Sequence, residues 1–375
     1  VRTLVVGWYG HGNIGDELLS IASYKIIRDT FGRDPVIASI NPKVTSQSIR
    51  ELISDATPKI VTWPESMGLR SLASTGVIGT IANIINSDCV CIGGGGMLSD
   101  WKGSKVHRWL EFISLCKKLG KKTVLLGIGA GPFFDRTIAE RIGTIINNDV
   151  DLIITRDTES KRYLIEDAGV SKQISVSTDL AFYLTDIIRR DSKNNDSLVV
   201  NFVQFSDFPR EYVENITTFL QEVSKERIVK LLPFHESDLK FHKMLHHRVA
   251  SENLRLLPLG TIGSVIDTLN SCKTAILTRF HSLILGTILG IPSVPIVYHH
   301  KSAELVRIME LNDYSIDIGV GSQWRENIPS AKEYREALNQ VEEHRDVILD
   351  SIIENSNRQF RNSRKYVSVL REISI

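Results

Sequence analysis

The sequence is poor in the features that mark a specialised class. It has four cysteines in 375 residues, too few for a disulfide framework. Its 45 Lys and Arg are balanced by 44 Asp and Glu, so no net charge draws it toward nucleic acid. No stretch approaches the ~18 consecutive apolar residues of a membrane span. No unit repeats at a period of ~20–50 residues, and there is no low-complexity tract. Val1 to Gly7 reads as a buried strand and not a signal peptide, because no basic segment precedes an apolar one. Cys89 and Cys91 lie inside an apolar run and are read as buried thiols on opposite faces of a strand, while Cys116 and Cys272 stand alone. No metal or disulfide role is expected of them, and a reducing cytoplasm fits.

What the sequence has is alternation. Short apolar runs alternate with amphipathic stretches almost throughout, the pattern of βα units around a parallel sheet. Strands are expected at Thr3–Gly7, Val36–Ile40, Asp88–Ile92, Lys122–Gly127, Leu152–Thr155 and Ile174–Val176. A polar run without periodicity, Arg189–Ser197, is the best linker candidate. The alternation then restarts, with strands expected at Leu198–Phe205, Ile228–Pro233, Arg255–Pro258, Thr274–Thr278, Val294–Tyr298 and Ile316–Ile318. The region from about Ala331 to Ser356 reads as one long charged helix. The expected fold class is α/β, with two Rossmann-like domains, 1–190 and 191–375, whose parallel sheets face across a cleft. Ligands of such sheets bind at the carboxyl ends of strands, so the residues just after each strand carry the functional signal.

Gly10, Gly12 and Gly15 satisfy G-x-G-x-x-G between a strand and a helix. A dinucleotide fingerprint would need an acid at the end of the second strand, and Ile40-Asn41-Pro42 stands there. Two readings stay open for this loop: a tight turn with Asp16 as helix N-cap, or a site wall in which Asn13 and Asp16 meet substrate. Gly93–Gly96 are four successive glycines after a strand. Such a run is tolerated where backbone approaches a ligand or another segment closely, and the amides of Gly94 and Gly95 could form an anion-binding nest. Gly127–Pro132 is a second glycine-rich turn at the same sheet edge.

Arg156 follows a strand and is either paired internally with Asp157, Glu159 or Asp179, or open to a carboxylate or phosphate. Arg279, His281 and Ser282 meet at a helix N-terminus, where amides favour an anion. Lys301 opens the next helix, unfavourably for its dipole, which suits a bound anion. His235 also ends a strand, with the structural reading favoured. His242, His246 and His247 read as the solvated face of a charged helix.

The motifs GWYGHGNIGDELL, GGGGMLSD, GIGAGP, TRDTES, TDLAF and TRFHSLILGTILGIPSV, in that order, resemble the polysaccharide pyruvyltransferase family from Gly7 to about Lys301. The resemblance implies a GT-B-like fold and transfer of the pyruvyl group of phosphoenolpyruvate onto two hydroxyls of one glycan sugar, giving a ketal and phosphate. It places the donor-binding arginines at Arg156 and Arg279, the catalytic histidine at His281, and a further contact at Lys301. Phosphoenolpyruvate would be a co-substrate, with no cofactor and no obligatory metal. The expected partners are phosphoenolpyruvate and a glycan acceptor, often lipid-linked. No nucleic acid is expected; transient contact with the inner membrane surface and a homo-oligomer are left open. The competing readings are a GT-B glycosyltransferase using a nucleotide sugar, a binding protein with a degenerate site, and an NAD enzyme. Trp8 and His11 are unusual in the first loop and leave acceptor choice open.

Overall fold

The computed structural model describes residues 1–64, 75–100, 105–188, 190–191, 196–204, 208–319 and 327–373. Most of the linker candidate Arg189–Ser197, and Phe205, lie outside the described residues. The chain divides into two units. The first holds Val1–His11, Asp16–Leu184 and Gln359–Ile375; the second holds Gly12–Gly15 and Thr185–Arg358. The sequence reading drew one boundary at 190/191. The contacts instead carry the last helical segment back to the first unit and place four residues of the first loop with the second.

The first unit is a seven-stranded parallel sheet in the order β3-β2-β1-β4-β5-β6-β7. Its strands are β1 (Thr3–Val6), β2 (Val36–Ser39), β3 (Lys59–Thr62), β4 (Cys89–Leu98), β5 (Lys122–Ala130), β6 (Leu152–Thr155) and β7 (Ile174–Val176). The helices α1 (Ile14–Phe31), α2 (Pro42–Leu52), α3 (Thr75–Asn86), α4 (Val106–Lys118), α5 (Arg136–Asp149) and α6 (Thr158–Glu166) connect them. Strands β1 and β4–β6 are almost wholly buried, as parallel strands covered on both faces must be. The edge strand β3 is half-exposed and was missed in the sequence, because KIVT after Pro58 shows neither a long apolar run nor alternation.

Two expectations change here. Gly93–Gly96 do not form a loop: β4 runs through them, with Gly93 opposite Leu126 and Gly95 opposite Ile128 before a register shift. Gly94 has φ +76°, and a Cβ there would lie 2.9 Å from the Leu19 Cβ, so packing of α1 already accounts for its lack of a side chain. Cys89 and Cys91 share a face of β4, with their Sγ atoms 3.9 Å apart, because residues i and i+2 of a strand point the same way. Both are buried free thiols.

The second unit is a six-stranded parallel sheet in the order β10-β9-β8-β11-β12-β13. Its strands are β8 (Leu198–Asn201), β9 (Val229–Leu231), β10 (Leu254–Leu256), β11 (Thr274–Leu277), β12 (Ser293–Val297) and β13 (Ile316–Asp317). Helices α7 (Arg210–Val223), α8 (Glu236–Val249), α9 (Ile262–Asn270), α10 (Phe280–Ile288) and α11 (His300–Ile308) connect them. His242 is fully buried, not solvated. It lies on the apolar stripe of α8 with Phe241, Leu245 and Val249, and its Nε2 lies 2.9 Å from the Phe202 carbonyl.

The long C-terminal helix is three: α12 (Ala331–Glu343), α13 (Arg345–Ser363) and α14 (Lys365–Leu370). A capping box between Ser330 and Glu333 starts α12. In the first unit the fully buried Tyr366 donates its hydroxyl to the Thr178 carbonyl, and Gln359 meets the Thr178 hydroxyl. Among the described residues no helix is long and apolar enough to cross a membrane.

Candidate functional site

In the second unit, β9, β11 and β12 end at the same sheet edge, and each runs directly into a helix. Strand β11 ends at Leu277, and Arg279 stands at the N-cap of α10 with extended backbone. Its amide donates to the Asn201 Oδ1 at 3.0 Å. Its guanidinium is held by Asp238: Nε lies 3.1 and 3.3 Å from the two carboxylate oxygens, and Nη2 lies 2.6 Å from Oδ1. Nη2 also donates to the Ser237 hydroxyl at 3.0 Å. The Asp238 side chain is fully buried, whereas that of Arg279 is 26% exposed. The carboxylate therefore grips the fork from the buried side, while part of the cation keeps its exposure.

Asp238 also accepts the Phe234 amide at 3.1 Å and the Asn201 Nδ2 at 3.4 Å. A buried charge is tolerated when paired and hydrogen-bonded in this way. Sequence reasoning missed Asp238 and Asn201. The available signal was the acid three residues after His235 in HESD, which reads equally well as ordinary helix charge. Burial pushes the Tyr298 phenol up, against the opposing pull of Arg279.

His281 occupies the first turn of α10. Gly15 lies against it: a Cβ on Gly15 would sit 2.7 Å from the His281 Cγ, 2.9 Å from its Cβ, and closer still to Nδ1. The glycine is thus required by the approach of the imidazole. The turn is fixed to the same unit by backbone, through the Ile14 amide to the Phe234 carbonyl at 3.0 Å and an antiparallel bridge between Asn13 and His235. Asn13 precedes α1, and its Oδ1 accepts the Gly15 amide, so Asn13 takes the capping place that one reading of the loop assigned to Asp16.

Ser282 is buried and donates to the Arg279 carbonyl at 2.7 Å, so its hydroxyl fastens the turn. Lys301 lies in the first turn of α11, behind an N-cap made by His299, whose Nδ1 accepts the Lys301 amide. The Lys301 ammonium lies over the Phe280 ring, 5.4 Å from its centroid, a cation–π contact. His235 caps α8. Burial, then the neighbouring Arg279 charge, lowers its pKa. The second unit therefore gathers Asn13, Arg279, His281, Ser282 and Lys301 on one edge, together with His235.

Asp16, Gly94, Gly95 and Arg156 belong to the first unit. Arg156 is buried, with Nε 3.1 Å from the Asp157 Oδ2 and Nη1 3.8 Å from the Asp179 Oδ2. A Cβ at Gly129 would lie 2.7 Å from its Cζ, so this glycine makes room for the guanidinium as Gly15 does for the imidazole. Asp16 stands in the first turn of α1 beside Glu17. Glu17 is buried, accepts the Gly10 amide at 2.6 Å, and has its pKa pushed up to about 7, chiefly by burial. Among the described residues no cluster of three or more His, Cys, Asp or Glu could hold a metal ion.

Several solved structures share the fold. HepE of Anabaena, solved with UDP and glucose, matches with a TM-score of 0.66 at 11% identity over 99% of this chain and all of its own. UDP-GlcNAc 2-epimerase of Neisseria meningitidis matches at 0.61 and 11%, over 99% of each chain. A glycosyltransferase of Rickettsia africae matches at 0.58 and 12%, over 99% of each. These likenesses show the fold alone, two Rossmann-like units of the GT-B kind. A search among curated proteins finds no match. The model of the polysaccharide pyruvyl transferase family matches residues 13–300, a span that opens at Asn13 and closes one residue short of Lys301. On that match the chain belongs to the polysaccharide pyruvyl transferase family.

Proposed function

We propose that this transferase moves the pyruvyl group of phosphoenolpyruvate onto two hydroxyls of one sugar in a glycan acceptor. The observation that carries the reading is the Arg279-Phe280-His281 turn. A guanidinium locked by a buried carboxylate and an imidazole packed on a glycine stand together at a helix N-terminus.

The chemistry needs those groups. His281 gives a proton to C3 of the enol phosphate, C2 becomes cationic, and the first sugar oxygen bonds to C2 as its proton leaves to a base. The C2–O bond to phosphate then breaks with its electron pair, and the second sugar oxygen bonds to C2 and closes the ketal ring as its own proton leaves to a base. Arg279 balances the charge of the phosphate throughout, and Lys301 adds a second cation beside the same turn. A positioned acid of this kind contributes ~10²–10⁴-fold. The nucleotide-sugar alternative shares the fold, and structural neighbours solved with UDP or UDP-GlcNAc match at identities that speak only to fold.

The test separates binding from turnover. His281→Gln should bind phosphoenolpyruvate with little change, measured by calorimetry, while phosphate release falls by at least ~10²-fold. Near-normal turnover with weakened binding would make His281 a ligand contact and move the acid elsewhere.

A further inference from the structure

His235 has its tautomer fixed by the fold. It is the N-cap of α8, and its Nδ1 accepts the Ser237 amide at 3.1 Å and lies 2.7 Å from the Ser237 hydroxyl. A backbone amide can only donate, so Nδ1 must be the unprotonated nitrogen and the neutral ring must carry its proton on Nε2. Protonating Nδ1 would set one N–H against another and break the cap. The charged groups around the ring are Arg279 from α10, which bonds the same Ser237 hydroxyl, and Glu236, Asp238 and Lys240 from α8. The turn on its other side contributes uncharged Asn13. The ring is therefore a neutral donor at Nε2 that shares a neighbour with the guanidinium.

We propose that His235 is a further catalytic residue of this site, a neutral hydrogen-bond donor that contacts the phosphate of phosphoenolpyruvate through Nε2–H beside Arg279 and acts as neither acid nor base. This rests on the function proposed above. A phosphate offers several acceptor oxygens, and its charge grows as the C2–O bond breaks. A neutral donor strengthens its bond to that oxygen without adding a further positive charge to those of Arg279 and Lys301.

Two substitutions separate this role from capping. Asparagine is a good N-cap but presents no donor at the Nε2 position; glutamine can reach that position but is a poorer cap. His235→Asn should keep or raise the melting temperature while phosphoenolpyruvate binding weakens by about tenfold to a hundredfold. His235→Gln should melt lower and keep most of the turnover, with an unchanged acid limb in its pH profile. A purely structural histidine predicts the reverse order, and an acid predicts a dead glutamine variant; either result overturns the proposal.

An NMR titration of protein labelled with ¹⁵N-histidine keeps the inference testable if the reaction assignment fails. With inorganic phosphate as probe, the His235 ring should show the Nε2–H tautomer near neutral pH and a saturable shift of its Nε2 signal. That shift in a protein that does not consume phosphoenolpyruvate would uphold the anion contact and refute the reaction. An Nδ1–H tautomer, or no response to either phosphate or phosphoenolpyruvate, would overturn the inference.

Discussion

A single methyl group added at Gly15 should disable this enzyme without unfolding it. Gly15 lies in the first turn of α1, where alanine is ordinarily the better helix former, by up to ~1 kcal/mol in a helix interior. Here the new Cβ would lie 2.7 Å from the His281 Cγ and 2.9 Å from its Cβ, against ordinary carbon contacts of ~3.5–4.0 Å. The imidazole has to move by roughly 1 Å, at an off-rotamer cost of about 0.5–1.5 kcal/mol. The two effects nearly cancel, so urea denaturation of Gly15→Ala should give a stability within about 1 kcal/mol of wild type. Misplacing a reacting group by ~1 Å costs on the order of 10²-fold in rate. Steady-state phosphate release should therefore fall by about that factor, with little change in phosphoenolpyruvate affinity. A stable variant with wild-type turnover would show that the position of His281 does not matter. A variant that loses activity only in proportion to unfolding would remove the argument from geometry.

Three other outcomes are expected. Asp238→Asn leaves the part-exposed Arg279 fork facing an amide, and losing hydrogen bonds to a charged group costs about 1.5–3 kcal/mol; the denaturation midpoint should drop and donor KM rise at least about tenfold, and a variant matching wild type in both would mean that Asp238 does not hold the arginine. Glu17 has a folded pKa of about 7, above its ordinary value of 4.5, so the native state holds the extra proton in that window and stability falls as pH rises through it, by on the order of 3 kcal/mol. Glu17→Gln should flatten that slope and be more stable than wild type at pH 8, and an unchanged slope would refute the raised pKa. His242 has the opposite sign: burial lowers its pKa to about 4 from 6.5, so its contribution is present above the upper value and lost as pH falls toward the lower. In His242→Gln the acid-side loss between those values should shrink by a similar amount; a curve that parallels wild type would contradict it.

Much of this was legible because parallel strands buried on both faces write themselves as apolar runs. Twelve of the thirteen described strands could be read from those runs, and the residues after them could be ranked. Arg279 and His281 stood out because an isolated polar pair beside a buried strand needs a reason. Their partners did not. Asp238 reaches Arg279 across 41 positions of sequence, and its four-residue context looks like any helix start. Gly15 could be read as a turn glycine but not as the residue that makes room for an imidazole on another element. The four glycines of β4 misled, since backbone conformation and register, not composition, decide whether such a run is a loop. The return of Tyr366 to the first unit rests on one buried hydroxyl and its surroundings, a contact that no local pattern announces. His242 was misplaced because the charges around it hid an i, i+3, i+4 stripe.

Phosphoenolpyruvate as donor and a ketal as product can be tested together in one reaction. The purified full chain should be incubated with phosphoenolpyruvate and a panel of aryl glycosides, in parallel with UDP-sugars and the same acceptors. Released phosphate is measured, and the sugar product is examined by NMR for a ketal carbon bridging two oxygens of one ring. The account predicts one phosphate released for each acid-labile ketal formed, and no product from the UDP-sugars. Transfer of a sugar from UDP with no consumption of phosphoenolpyruvate would contradict it.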